Sequence, residues 1–489
     1  GEVSLVWPFK DCILEGGMTK EDQKRNEIFF NQTLAKDEID RLFDAKVLTN
    51  FKKFTAKGEE KVKDFNRDEK TGVIKDNLII KGNNLLALHS LKKEFAEKVK
   101  LIYIDPPYYF KDDKANDVFT YNSNFKLSTW LTFMKNRLEV AKELLSNDGS
   151  IYINIDRDGV HYLKILLDDI FNVNNFRSEI IWRMGFLSGY KTVANKYIRN
   201  HDTILFYTKT ENYFFKKTYI DNKDFAPLLT KSEIKTAFKE FKFPEEKIEE
   251  FSYFINHKNR GDRYPLEDTW NCNKWDKLNS IAIDSSVSRV EETVEVEDSN
   301  FKGQKPEKLL QRIIEASSNE KDIVLDFFGG TGTTACVAQK IKRQWISIEQ
   351  IDNHMGAQLK RLNNIIRGDQ SGISKAVNWK GGGEFIYCEL KKYNEEALDK
   401  IQDAKNTKSL LKIWDEMVNY YFLNYDVEIH KFNKNKVDFE KLSLAEQKKL
   451  LCEMLNKNQL YVNLSEIDDK QFNISKEDKE LNSKFYGGN

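Results

Sequence analysis

Two apolar runs of this chain end in turns that an ordinary loop does not require. Val99-Lys-Leu-Ile-Tyr-Ile104 runs into Asp105-Pro106-Pro107-Tyr108, and Ile323-Val-Leu-Asp-Phe-Phe328 runs into Gly329-Gly330-Thr331-Gly332. Each run is short, rich in branched and aromatic residues and bounded by turn signals, so each reads as a buried strand. Upstream of the first, Asn77–Lys81 is another apolar run, closed by Gly82-Asn83-Asn84. Leu85, Leu88, Leu91 and Phe95 then recur at helical spacing. Strand, helix and strand within ~28 residues match a βαβ unit. The chain is therefore constrained to an α/β sheet that is parallel at least in part.

The same rhythm continues after the first turn. Ser128 is expected to cap a helix whose stripe is Leu131, Met134, Leu138, Ala141 and Leu145. Asn147-Asp148-Gly149 is expected to end it, with Gly149 in a left-handed cap, before a strand over Ser150–Ile155. A helix near 161–171 and strands near 179–183 and 203–208 follow. Residues 213–300 lose the alternation; it returns at Pro306, which suits a first helical turn. One sheet is thus written in two halves around an insertion. The organisation expected is 1–74 helical and charged, 75–212 the first half, 213–300 an inserted domain, 301–395 the second half and 396–489 mostly helical.

Composition narrows the function. With 489 residues, 40% of them hydrophobic, the chain is long enough for a large core. No stretch approaches the ~18 consecutive apolar residues of a membrane span. Lys plus Arg and Asp plus Glu both number 78, so no basic coat covers the molecule, although a local basic groove is compatible with that balance. Five scattered cysteines without a C-x-x-C read as reduced thiols of a cytoplasmic protein, not as a zinc site.

The glycine turn at 329–332 lets backbone approach a ligand closely. Glu349, at the end of the next strand, stands where an acid can accept both ribose hydroxyls. Thr333 and Thr334 follow Gly332 where a phosphate-cradling loop needs Lys, so the turn does not suit a nucleoside triphosphate. Together they suggest a nucleoside cofactor; an ordinary βα turn is the alternative. Asp105-Pro106-Pro107-Tyr108 is more specific. A carboxylate and a proline carbonyl are two acceptors beside an aromatic face. That trio suits the exocyclic amino group of a planar base taken out of its helix. Unstacking costs a few kcal/mol, of which stacking on Tyr108 returns ~1–3 kcal/mol.

In this order, D-P-P-Y first and F-x-G-x-G later (Phe328, Gly330, Gly332), the chain resembles the S-adenosylmethionine-dependent amino-methyltransferases of the permuted β class. More closely, it is similar to Mod subunits of type III restriction–modification systems over most of residues 75–395. The stretches that carry this are Leu78-Ile-Ile-Lys-Gly-Asn-Asn-Leu-Leu-Ala-Leu88, Leu101–Tyr108, Ser128-Thr-Trp-Leu131, Met134-Lys-Asn-Arg-Leu138, Lys305-Pro306, Leu325-Asp-Phe-Phe328, Glu349-Gln350 and Gly381-Gly-Gly383. The resemblance implies a Rossmann-like sheet, permuted, with 213–300 as a target-recognition domain and helical terminal segments. It implies that Asp105, Pro106 and Tyr108, with Pro107 completing the motif, hold a flipped adenine. Asp326, Phe328, Gly330 and Gly332 would surround the methionine end of the cofactor, and Glu349 its ribose. Lys305 would make a further cofactor contact, with Asn83 near the cofactor adenine. No metal is implied. One departure is Tyr109-Phe110-Lys111, where type III relatives commonly continue Asn-Thr-Gly.

The expected chemistry is direct methyl transfer to adenine N6 in double-stranded DNA. The expected setting is a homodimer in a prokaryotic cytoplasm, on the nucleoid, with a separate restriction (Res) subunit. No helicase or nuclease motif is found, so cleavage would need another polypeptide. Alternatives are transfer to cytosine N4 and a non-catalytic DNA-specificity subunit. Arg260, Arg263 and Lys274 are candidate DNA contacts within the insertion, and the acidic run 291–298 reads as a surface loop.

Overall fold

The computed structural model describes residues 4–16, 30–32, 36–109, 126–183, 197, 199–221, 227–258, 263–270, 304–424 and 427–487. Its centre is one eleven-stranded sheet. In chain order the strands are β1 (Leu48–Thr55), β2 (Gly58–Lys61), β3 (Asn77–Lys81), β4 (Val99–Ile104), β5 (Leu145–Ile155) and β6 (Phe176–Arg183). They continue as β7 (His201–Thr208), β8 (Thr269–Trp270), β9 (Ile323–Asp326), β10 (Gln344–Glu349) and β11 (Phe385–Leu390). Across the sheet they lie in the order β8-β6-β7-β5-β4-β9-β10-β3-β11-β1-β2.

The six strands from β5 to β11 are mutually parallel. Their unbroken apolar runs are what burial on both faces demands. Side chains alternate between two cores. Ile102, Ile104, Ile153 and Ile348 face one; Leu101, Tyr103, Val324 and Trp345 face the other. Helices of the first half, α1 (Asn84–Phe95), α2 (Leu127–Leu144) and α3 (Val160–Phe171), cover the first face. Helices of the second half, α4 (Glu307–Ser317), α5 (Thr333–Lys340) and α6 (Asp352–Ile366), cover the second. This is a doubly wound, Rossmann-like sheet whose two halves are brought together from distant parts of the chain.

Strands β4 and β9 are neighbours, with Ile102 level with Leu325. From β9 the chain proceeds to β10 on one side; from β4 it proceeds to β5 on the other. Strand order therefore reverses between them, and their carboxyl ends open the crevice where open α/β sheets bind ligands.

Several local expectations are corrected. Within 1–74 the described helix is only Lys36–Leu42, and β1 and β2 form an antiparallel hairpin on the sheet edge. Lys52 and Lys53 of β1 and Glu59, Glu60 and Lys61 of the edge strand β2 give this hairpin a charged, helix-like composition, but charged side chains also protect an exposed sheet edge. Phe54 anchors it by stacking on Phe385 at 4.9 Å. Helix α2 starts at Leu127 without a side-chain cap, so Ser128 does not cap it. It ends at Leu144, and Asn147-Asp148-Gly149 belongs to β5. Gly149 is not left-handed; a Cβ there would sit 3.0 Å from the Val99 carbonyl oxygen of β4. Pro306 is the residue before α4, not part of its first turn.

Between 213 and 270 the described chain forms a small ladder, Tyr219–Asp221 with Arg263–Pro265, and helices Lys231–Glu240 and Ile248–Tyr253. The first helix is started by a capping box of Thr230 and Glu233. β8 then returns to the main sheet beside β6. Helices Asn394–Asp403, Thr407–Tyr420 and Leu444–Met454 pack together beyond β11. Helix Lys476–Phe485 lies on β1, where Asn482 exchanges hydrogen bonds with the backbone of Leu48. Trp414, Leu451 and Phe485 share one continuous core with Leu85 and Leu138.

Candidate active site

The two turns of special composition meet at the reversal point. After β4, Pro106 and Pro107 are buried, while Asp105 and Tyr108 are half-buried at the crevice. Tyr108 Oη donates to Asp105 Oδ1 at 2.8 Å. Lys305, just before α4, places Nζ 2.6 Å from Asp105 Oδ2 and 5.6 Å from the Tyr108 ring centre. Trp130 of α2 donates its indole N–H to the Pro107 carbonyl at 2.9 Å, which pins the turn to the first helical layer. Burial holds the Tyr108 hydroxyl protonated far above its ordinary range, and the Asp105 charge adds to this.

At the end of β9, Asp326 is buried and receives the Phe328 backbone N–H at 3.0 Å and the Thr334 hydroxyl at 2.6 Å. The Phe328 ring is buried as well, 6.1 Å from Phe133, so this residue serves the core with its ring and the turn with its backbone. Gly330 and Gly332 have φ of 51° and 81°, and Gly332 turns the chain into α5. A Cβ on Gly332 would lie 2.6 Å from Gln358 Cγ of α6, so glycine is needed for both conformation and contact. At the end of β10, fully buried Glu349 accepts the Gly330 N–H at 2.8 Å and the Gln350 and Ile351 N–H groups at 2.9 and 2.7 Å. The acid thereby ties the glycine turn to its own strand end.

Asn83 serves as the cap of α1: its side-chain oxygen accepts from Leu85 and Leu86, and its amide donates to Glu15. Lys305 lies against the Asp105 carboxylate, a placement that spacing alone did not indicate. Sequence reasoning also missed Asn154 and Trp130. Asn154 had a signal, a polar residue inside the apolar run Ile151–Ile155; Trp130 had none beyond its place in the stretch Ser128-Thr-Trp-Leu131 that carries the resemblance. Arg263 is exposed with its guanidinium 4.3 Å from the Tyr219 ring centre. Arg260, Lys274, the run 291–298 and residues Phe110 and Lys111 lie outside the described residues.

The electrostatics of the crevice are acidic. Burial pushes the Asp326 carboxyl up to about 7, and the charges of Asp105 and Glu349 add to the rise. Three acids thus converge, with Lys305 the cation seated on one of them. Such a set fits a ligand carrying positive charge, because a cation would relieve the mutual repulsion of the carboxylates. S-Adenosylmethionine, with a sulfonium and an ammonium group on a nucleoside, has that chemistry.

A family model described as DNA methylase matches residues 99–361, which includes both turns. The chain is 38% identical to the "Probable type III restriction-modification enzyme HindVI Mod subunit" of Haemophilus influenzae, over 96% of this chain and 75% of that one. The chain belongs to the DNA methylase family, in its type III Mod group. Another relative of this DNA methylase is the type III restriction-modification enzyme EcoP15I Mod subunit of Escherichia coli, 29% identical over 38% of this chain and 32% of that one. The DNA adenine methyltransferase YhdJ of Escherichia coli is also 29% identical, over 60% of this chain and 87% of its own. Among the described residues of the methylase, no helix is long and apolar enough to cross a membrane, and no cluster of ligating side chains could hold a metal.

Proposed function

We propose that this chain methylates N6 of an adenine flipped out of duplex DNA, as the modification subunit of a type III restriction–modification system. The observation that carries the reading is the meeting of Asp105-Pro106-Pro107-Tyr108 with the glycine turn at the reversal between β4 and β9. Asp326, Phe328, Gly330, Gly332 and Glu349 would hold S-adenosylmethionine, with Lys305 and Asn83 at its margins. The cofactor supplies a methyl group already activated on sulfonium. Asp105 and the Pro106 carbonyl accept the two amino hydrogens of the base, and Tyr108 supports its ring. The N6–CH3 bond would form as the S–CH3 bond breaks, S-adenosylhomocysteine leaving with the sulfur electron pair; the nitrogen gains positive charge, which the fixed Asp105 carboxylate stabilises, until it loses one amino proton to water. Alignment does the rest of the work.

The ladder and helices between 213 and 270 are the proposed target-recognition domain, with exposed Arg263 as a DNA contact. A second copy of the chain and a separate Res polypeptide complete the assembly in this reading, which places the protein on chromosomal DNA in a prokaryotic cytoplasm. The test is incubation with duplex DNA and methyl-labelled S-adenosylmethionine, followed by mass spectrometry of the nucleosides. N6-methyladenine is expected. Asp105→Ala should lower the rate by about 10²–10³-fold while cofactor affinity changes little. N4-methylcytosine as the product, absence of labelled DNA, or an unimpaired Asp105→Ala would each refute the proposal.

A further inference from the structure

Strand β5 carries a fully buried amide, Asn154, inside an otherwise apolar run, where it faces the Tyr108 hydroxyl and the Asp105 carboxylate. Ile104 is level with Ile153, so Asn154 is the next residue along β5 and lies beside Asp105. Its side chain is fully buried. Asn154 Nδ2 donates to Tyr108 Oη and approaches Asp105 Oδ1 at 3.4 Å. Its Oδ1 has no hydrogen-bond partner among the described residues. An amide left half-satisfied in a core costs about 1–3 kcal/mol. Such a group calls for an explanation other than packing.

Resting on the function proposed above, we infer that Asn154 is a positioning residue for the methyl transfer. Because Tyr108 Oη accepts from Asn154, its own proton is directed to Asp105 Oδ1. One amide thus fixes the ring that supports the base and the carboxylate that accepts from its amino group. Lys305 holds the other carboxylate oxygen. Rate is sensitive to errors of this kind, since about 1 Å of misplacement costs roughly 10²-fold. The charged and titratable groups around the Asp105–Tyr108 pair are Lys305 before α4, Asp156 after β5, Arg199 with Asp202 at the start of β7, Tyr103 of β4 and Asp326 at the end of β9, so each variant is compared as a ratio to the parent at the same pH and at saturating cofactor. Arg199 is paired to both of these acids, so the new charge of an acidic substitution at 154 would fall chiefly on Asp105.

The test compares Asn154→Ala and Asn154→Asp with the parent chain in single-turnover methylation across pH, alongside cofactor dissociation constants and thermal melts. Asn154→Ala should lose about 10–100-fold in rate by a factor that does not change with pH, with cofactor affinity within about threefold. Asn154→Asp sets two carboxylates side by side. They repel when both are ionised, and a shared proton restores a donor. Its rate should therefore be lowest at alkaline pH and recover toward pH 6, a slope absent from Asn154→Ala. The inference is overturned if Asn154→Ala keeps its rate within about threefold, or if its cofactor affinity falls as much as its rate. It is also overturned if the folded Asn154→Asp shows no acid recovery. A parent chain that methylates nothing refutes the proposed function itself; an active parent with an unaffected Asn154→Ala refutes only this role.

Discussion

At the scale of single residues, Asp326, if it holds the cofactor as proposed, is expected to couple cofactor binding to pH. Its carboxyl rises from an ordinary 3.8 to about 7 because it is buried. A raised carboxyl favours the fold below its unfolded pKa, and that contribution disappears as pH climbs through about 7. A cation bound nearby reverses the balance by favouring the ionised form. Cofactor binding should then release a proton, and affinity should increase as pH rises toward about 7, by at most about tenfold per unit. Titration calorimetry in buffers of differing ionisation enthalpy reports the proton directly. A flat affinity profile, or one that Asp326→Asn leaves unchanged, would rule this coupling out. Residues of this kind were partly legible in the chain. Asp105 and Glu349 end apolar runs, and an acid at such a place is conspicuous. Lys305 was legible as a motif member, but its pairing with Asp105 was not, because the two are about 200 positions apart and no local pattern links them.

At the scale of elements, the second helical layer is joined by a buried ion cluster. Glu307 of α4 meets Lys340 of α5 at 2.6 Å and Arg361 of α6 at 2.8 Å, all three side chains almost without exposure. Arg361 also donates to the Thr333 hydroxyl at 2.9 Å, beside Gly332. Glu307→Ala would strand two buried cations and should cost about 3–5 kcal/mol, measurable by urea denaturation. It should also weaken cofactor binding, because the cluster braces the start of α5. A loss below about 1 kcal/mol would mean that water or rearrangement satisfies the cations. The βαβ pattern of both halves was readable because parallel strands are continuously apolar and their helices strictly periodic. The hairpin β1–β2 was not, since its edge strand Gly58–Lys61 is charged at Glu59, Glu60 and Lys61 and β1 beside it carries Lys52 and Lys53, so the apolar signature is lost. The end of α2 was misplaced because Gly149 reads as a helix stop, whereas its small size serves the close approach of β4.

At the scale of the whole molecule, the carboxyl-terminal helices and the sheet share one core, so they should unfold together. Trp414 is fully buried in that core, and Trp414→Ala should cost about 3–5 kcal/mol. Calorimetry is expected to show one transition, moved down as a unit by the substitution. Two separated transitions, with only one displaced, would show that the helical part stands alone. No periodicity announces this sharing, because a helix stripe reveals that it is covered but not by what.

The adjacency of β4 and β9 has a consequence for how the protein is made. Roughly 220 residues separate the two strands, about ten to forty seconds of ribosomal elongation. Until the later strand emerges, the earlier one offers an unpaired, apolar edge with no partner of its own chain, a surface prone to aggregate. That edge is therefore open to association throughout this interval, and a nascent chain halted near residue 300 would already bear its proline turn while lacking the glycine turn proposed to hold the methyl donor.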